Sequence, residues 1–140
     1  MITFDGNTKS LKGLKNRIKK IINLIAIDHQ FNINSLSYVF QGDEDVLQIN
    51  ISALGHDYYT DIITFDYTEN NTIEGEIYIS LDRVKDNASS FKVEFEEELL
   101  RVIFHGVLHI VGYKDKTKTE KTKMREIENK YIKLFHVEQT

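Results

Sequence analysis

The chain has 140 residues and a mass of 16.4 kDa, with 18 Lys+Arg against 22 Asp+Glu for a net charge of −4. That length fits one domain, and 41% hydrophobic with 29% charged residues is a globular rather than a disordered composition. The absence of Cys excludes a disulfide framework, thiolate zinc sites, iron–sulfur clusters and a thiol nucleophile.

No repeat, linker or low-complexity tract interrupts the chain, so a single domain over residues 1–140 is expected. The apolar runs are too short and too charged to span a bilayer. Met1-Ile2-Thr3-Phe4-Asp5 lacks the basic and apolar regions of a secretory signal. A cytoplasmic protein without membrane association is the expectation.

Residues 2–4 read as a short strand. From Ser10 to Ile27, Leu11, Leu14, Ile18, Ile21, Ile22 and Ile25 recur at spacings of three and four, one face of a helix. Ser35 to Gln41 is β-branched and aromatic, a strand, and Gly42-Asp43 turns the chain. Asp45 to Ala53 reads as a short helix, with a strand as the alternative, and Gly55 closes it. Asp61–Tyr67 and Glu76–Ser80 are two strands joined through Glu69-Asn70-Asn71 and expected to pair as a hairpin. Ser80 suits the cap of a helix from Leu81 to about Asn87.

Val93 to Val111 is the most hydrophobic stretch. Glu94, Glu96, Glu97 and Glu98 suit the positive end of its helix dipole, and the remainder is apolar nearly all round, so this helix is expected to be central and buried. Gly112 stops it. Thr117-Lys118-Thr119-Glu120 is a capping-box pattern opening a last helix, with Met124, Ile127, Tyr131, Leu134 and Phe135 on its inner face. The expected fold is α+β: a small mixed sheet of about four strands covered by helices around a buried histidine-bearing helix.

That helix carries His105 and His109. At i, i+4 both imidazoles project from one face, the geometry two nitrogens need to hold one metal at about 2.0–2.1 Å. Gly106 between them leaves space. Asp115, six residues beyond His109, lies on a loop able to return to the same ion. Two His and one carboxylate leave an open position for water, the arrangement of a catalytic zinc. The competing reading is a pair of core histidines, each needing a buried partner. A peptidase of the His-Glu-x-x-His kind is disfavoured, because Gly106 stands where its general base belongs. Hydrolysis here would need a proton acceptor from elsewhere.

His105-Gly-Val-Leu-His109-Ile-Val-Gly112-Tyr113-Lys114-Asp115 resembles the His-Gly-x-Leu-His-x-x-Gly-Tyr-Asp-His signature of the YbeY-type endoribonucleases, the 16S rRNA maturation factors. Tyr59-Thr60-Asp61-Ile62-Ile63-Thr64-Phe65 resembles that family's Pro-Thr-(Asp/Asn)-Val-Leu-Ser-Phe strand, and Gly75-Glu76-Ile77-Tyr78-Ile79-Ser80 its Gly-Asp-Ile-x-Ile-Ser. The three motifs run in matching order over about residues 33–131. The resemblance implies a metal-dependent, single-strand-preferring endoribonuclease acting in 16S rRNA 3′-end maturation and ribosome quality control, with rRNA and the small ribosomal subunit as partners. It implies one Zn2+ per chain, or another divalent metal such as Mn2+, on His105, His109 and Asp115, with Asp115 standing where the family has a third His. The family's loop arginine is replaced by Leu54, and His56, two residues on, is a candidate cation or proton donor in its stead, or else a polar loop histidine. A non-catalytic, metal-containing ribosome-assembly factor is the alternative function.

The acidic total conceals two basic segments. Residues 9–20 carry six basic groups and no acid, and residues 114–125 carry a net +4, which leaves −14 over the remainder. The second cluster abuts the metal motif, so Lys114, Lys116, Lys118 and Lys121 are candidate contacts for RNA phosphates.

Overall fold

The computed structural model describes residues 1–137. A four-stranded sheet runs β1 (Ile2–Gly6), β2 (Asn32–Gln41), β4 (Thr72–Ser80), β3 (Ile62–Asp66) across its width. β1 and β4 lie parallel to β2, and β3 closes the edge antiparallel to β4. Five helices accompany it: α1 (Lys15–Asp28), α2 (Asp43–Leu54), α3 (Leu81–Phe91), α4 (Phe95–Ile110) and α5 (Lys118–Val137). This is the expected mixed α+β architecture.

Strand alternation decides which face is buried. Leu36, Tyr38 and Phe40 of β2 and Ile73, Ile77 and Ile79 of β4 are buried, while Glu74 and Glu76 between them are exposed. α4 packs on β3 and β4 and touches α1, α3 and α5, so it is the centre of the molecule. The Tyr38 hydroxyl donates to the Ile103 carbonyl at 2.8 Å, a buried polar link between sheet and helix.

Gly106 has a different reason from the one its place between the histidines suggests. A Cβ there would stand 2.8 Å from Ile77 Cδ1 and 3.1 Å from Ile62 Cδ1. The missing side chain lets α4 settle onto the sheet against these two isoleucines.

The element boundaries differ where local chemistry intervenes. The helix expected from Ser10 begins at Lys15, because Gly13 adopts φ +79° and separates a short 3-10 turn (Lys9–Leu11) from α1. Leu11 is nonetheless buried. β2 and β4 start three and four residues earlier than their apolar runs, because parallel pairing of Asn32 with Thr72 and Ile33 with Ile73 extends the ladder. Asn70 and Asn71 make the β3–β4 turn in the left-handed region, which Asn tolerates. Asp43–Leu54 is a helix, not a strand, with three acids in its first turn and Gly55 as a left-handed stop. α3 runs to Phe91, capped as expected: the Ser80 hydroxyl accepts the Arg83 N–H at 3.1 Å. α4 runs from Phe95 to Ile110 with Glu94 at its cap. Among the described residues no helix is long and apolar enough to cross a membrane.

Candidate metal centre

The two histidines come from one turn of a rigid, buried helix. Their rings lie 4.4 Å apart, nearly perpendicular. Asp115 reaches them from the loop after Gly112: its Oδ2 is 3.2 Å from His105 Nε2 and 3.5 Å from His109 Nε2. One ligand atom from each residue lies within 4.8 Å of the others, close enough for a single ion. The loop is held by the capping box at the start of α5. Glu120 Oε1 accepts the backbone N–H groups of Lys116 (3.1 Å) and Thr117 (2.9 Å), and Thr117 Oγ1 accepts the Glu120 N–H at 3.1 Å. The residue after Asp115 is thereby fixed.

Hydrogen bonding on the far side of each ring sets the tautomer. His109 Nδ1 lies 2.8 Å from the Tyr113 carbonyl, which can only accept, so Nδ1 carries the proton. His105 Nδ1 lies 2.6 Å from Glu128 Oε2. With both Nδ1 atoms donating outward, both Nε2 lone pairs are left facing Asp115. This orientation of histidines by outer hydrogen-bond partners is the usual support of a protein metal site. The donor set therefore fits a divalent ion bound through two imidazoles and one carboxylate.

Glu128 is buried and shared. Its other oxygen accepts from Arg101 NH1 at 3.0 Å, and Arg101 NH2 donates to Asn129 Oδ1 at 2.9 Å. Burial by itself lowers the His105 pKa, but the bond to Glu128 and the charges of Glu128, Asp115 and Asp61 outweigh it and raise the pKa above the ordinary imidazole value. Tyr113 is also anchored. His29 Nδ1 sits 2.7 Å from the Ile25 carbonyl, and its Nε2 accepts the Tyr113 hydroxyl at 2.9 Å.

His105 and Asp115 open onto a cleft of about 330 Å³ whose walls include Asp61, Glu98, Arg101, Lys121, Arg125 and Glu128. Asp61 precedes β3. Burial raises its carboxyl pKa above the usual carboxylate range against the opposing influence of His105, two backbone N–H groups and the Asn87 amide at 3.3 Å. Burial likewise raises Glu98.

The family model described as Endoribonuclease YbeY matches residues 2–136. The chain belongs to the YbeY endoribonuclease family. A relative named Endoribonuclease YbeY from Flavobacterium johnsoniae is 42% identical over 139 residues, covering 99% of this chain and all of that protein. Another of that name from Christiangramia forsetii is 54% identical over 107 residues, 76% of this chain and 75% of its own length. The solution structure of a Thermotoga maritima protein is similar in fold, with a TM-score of 0.73 and 30% identity over 99% of this chain and 91% of that one.

Within this YbeY-family site, the residues singled out by sequence separate. His105, His109 and Asp115 come together. Lys121 lines the cleft; Lys114 borders a neighbouring hollow with Tyr113 and Lys123, and Lys116 and Lys118 are exposed on the loop and first turn of α5. His56 stands apart. It is exposed, stacks on Tyr58, shares a 3.0 Å hydrogen bond between its Nδ1 and that hydroxyl, and borders a separate hollow with Leu54. Of the basic groups of α1, Arg17 lies 4.4 Å over the Phe135 ring and Lys19 5.6 Å over Phe4. Glu128, Arg101, Asp61 and Glu98 escape a reading of the sequence. Glu128 has a signal, since it sits on the apolar stripe of α5 between Met124 and Tyr131, where a charge demands a partner.

Proposed function

We propose that this chain is a metal-dependent endoribonuclease that cuts single-stranded RNA in 16S rRNA 3′-end maturation and ribosome quality control, with the small ribosomal subunit as its partner in the cytoplasm. The single observation that carries the reading is the convergence of His105 Nε2, His109 Nε2 and Asp115 Oδ2 in a chain of the YbeY family. These three residues hold one divalent ion, zinc by donor chemistry, with manganese an acceptable substitute. When bound, such an ion would supply Lewis-acid chemistry, polarising a phosphoryl oxygen and lowering the pKa of water toward ~7.

The chain's own residues do the rest. Glu128 and the Tyr113 carbonyl keep both Nδ1 atoms protonated, so that Nε2 of each ring is the ligand. Asp61 lines the same cleft without belonging to the ligand set, and its raised pKa suits it to accept the proton of an attacking water. Lys114, Lys116, Lys118 and Lys121 supply cations along the approach to the cleft, for the backbone of a single strand.

The test is cleavage of a 16S rRNA precursor 3′ segment by metal-loaded and chelator-treated protein, with His109→Ala alongside. The reading expects cleavage that chelator abolishes, that added metal restores, and that His109→Ala lacks. A loaded protein that binds this RNA without cutting it would instead be a non-catalytic assembly factor.

A further inference from the structure

Three cations line the metal cleft, and they are not equivalent. Arg101 is committed to Glu128 and Asn129. Lys121 and Arg125 are exposed on α5, and their side chains make no ion pair or hydrogen bond among the described residues. They stand at i, i+4, one turn apart, so their side chains rise from the same face. On their own helix, Glu120 is occupied by the backbone N–H groups of Lys116 and Thr117, Glu128 is shared between Arg101 and His105, and Glu126, one residue past Arg125, projects about 100° round the axis. The same capping box fixes the first turn of α5 and with it the place of Lys121 beside Asp115.

The charge around them explains why they matter. Asp61, Glu98, Asp115 and Glu128 face Arg101, Lys121 and Arg125, a formal balance of −1 with every carboxyl ionised and His105 neutral. A divalent ion on the ligands reverses that sign. Without Lys121 and Arg125 the loaded cleft would again be negative.

We propose that Lys121 and Arg125 form a two-pronged clamp for an RNA backbone phosphate inside the metal cleft, setting the scissile bond against the metal centre. This rests on the endoribonuclease reading and assigns its phosphate-binding residues. The other lysines lie outside the cleft and add attraction without position.

The test compares two double variants that remove the same charge, Lys121→Gln/Arg125→Gln and an outer pair at the exposed start of α1, Lys12→Gln/Lys15→Gln. Binding of a nuclease-resistant single-stranded 2′-O-methyl RNA is followed against salt, and kcat is measured at saturating cleavable RNA. Removing one cation that neutralises a phosphate of a single strand makes the slope of log K against log salt shallower by about 0.7, so the cleft pair should reduce it by about 1.4. The cleft pair should also lower kcat by about ten-fold or more, because a misplaced scissile bond slows chemistry even when bound. The outer pair should leave kcat at the wild-type value. Metal content should be unchanged in both. An unchanged slope for the cleft pair, a changed slope with wild-type kcat, or an equal kcat loss in the outer pair overturns the clamp. Absence of chelator-sensitive cleavage by the wild-type protein overturns the endoribonuclease reading itself and is seen separately.

Discussion

Glu128→Gln is the sharpest probe of the metal centre, because it changes one atom type at the point where fold and site meet. The carboxylate accepts from His105 through one oxygen at 2.6 Å and from Arg101 through the other at 3.0 Å, at a position only 4% exposed. A glutamine has one accepting oxygen, so it satisfies one donor and turns its NH2 toward the other. One charge-assisted hydrogen bond disappears, worth about 1.5–3 kcal/mol. At about 3 °C per kcal/mol for a domain of this size, Tm should fall by roughly 5–10 °C. The His105 ring also loses the anion that fixes its tautomer and makes Nε2 basic, and such outer partners contribute about 10–100-fold in metal affinity. Competition titration of zinc against a chromophoric chelator reads the affinity, and thermal melting of the apo protein reads the stability. Wild-type zinc affinity in a folded Glu128→Gln protein would refute the role given to Glu128.

Gly106→Ala should lower Tm by several degrees and weaken zinc binding, since its Cβ meets Ile77 and Ile62, and overpacking of this kind costs about 1–3 kcal/mol; calorimetry and zinc titration check both. Asp61→Asn should raise Tm while lowering kcat. The Asp61 pKa is raised on folding, so between the ordinary value and the raised one the folded state keeps a proton that the unfolded state has released, stability falls as pH rises, and the ionised group is a cost above that window. The Tm advantage of Asp61→Asn should therefore be largest near neutral pH and vanish below about pH 4, as melting curves across pH would show. Thr117→Ala removes half of the capping box beside Asp115 and should cost about 1 kcal/mol, measured by urea unfolding.

Much of this molecule is legible in its sequence because each signal is local. The i, i+4 histidines need only helical geometry, the Thr117–Glu120 box only four residues, and the α5 stripe only its periodicity. What escapes depends on tertiary partners. No local pattern says that Glu128 lies across from His105, 23 residues away, or that Asp61 before β3 joins the same cleft. Parallel pairing lengthens β2 and β4 beyond their apolar runs, because ladder hydrogen bonds, not burial, hold Asn32 to Thr72. Gly106 reads in sequence as space for an ion, whereas its neighbours are the isoleucines of β3 and β4. In the basic run of residues 9–20, the place of Arg17 against Phe135 depends on a partner 118 residues away.

The central claim is that His105, His109 and Asp115 bind one divalent ion. Anomalous diffraction at the metal absorption edge, on crystals of the loaded protein, tests it most directly. The account predicts a single strong peak within bonding distance, about 2.0–2.2 Å, of His105 Nε2, His109 Nε2 and Asp115 Oδ2. No peak there, or a peak held by other side chains, would contradict it.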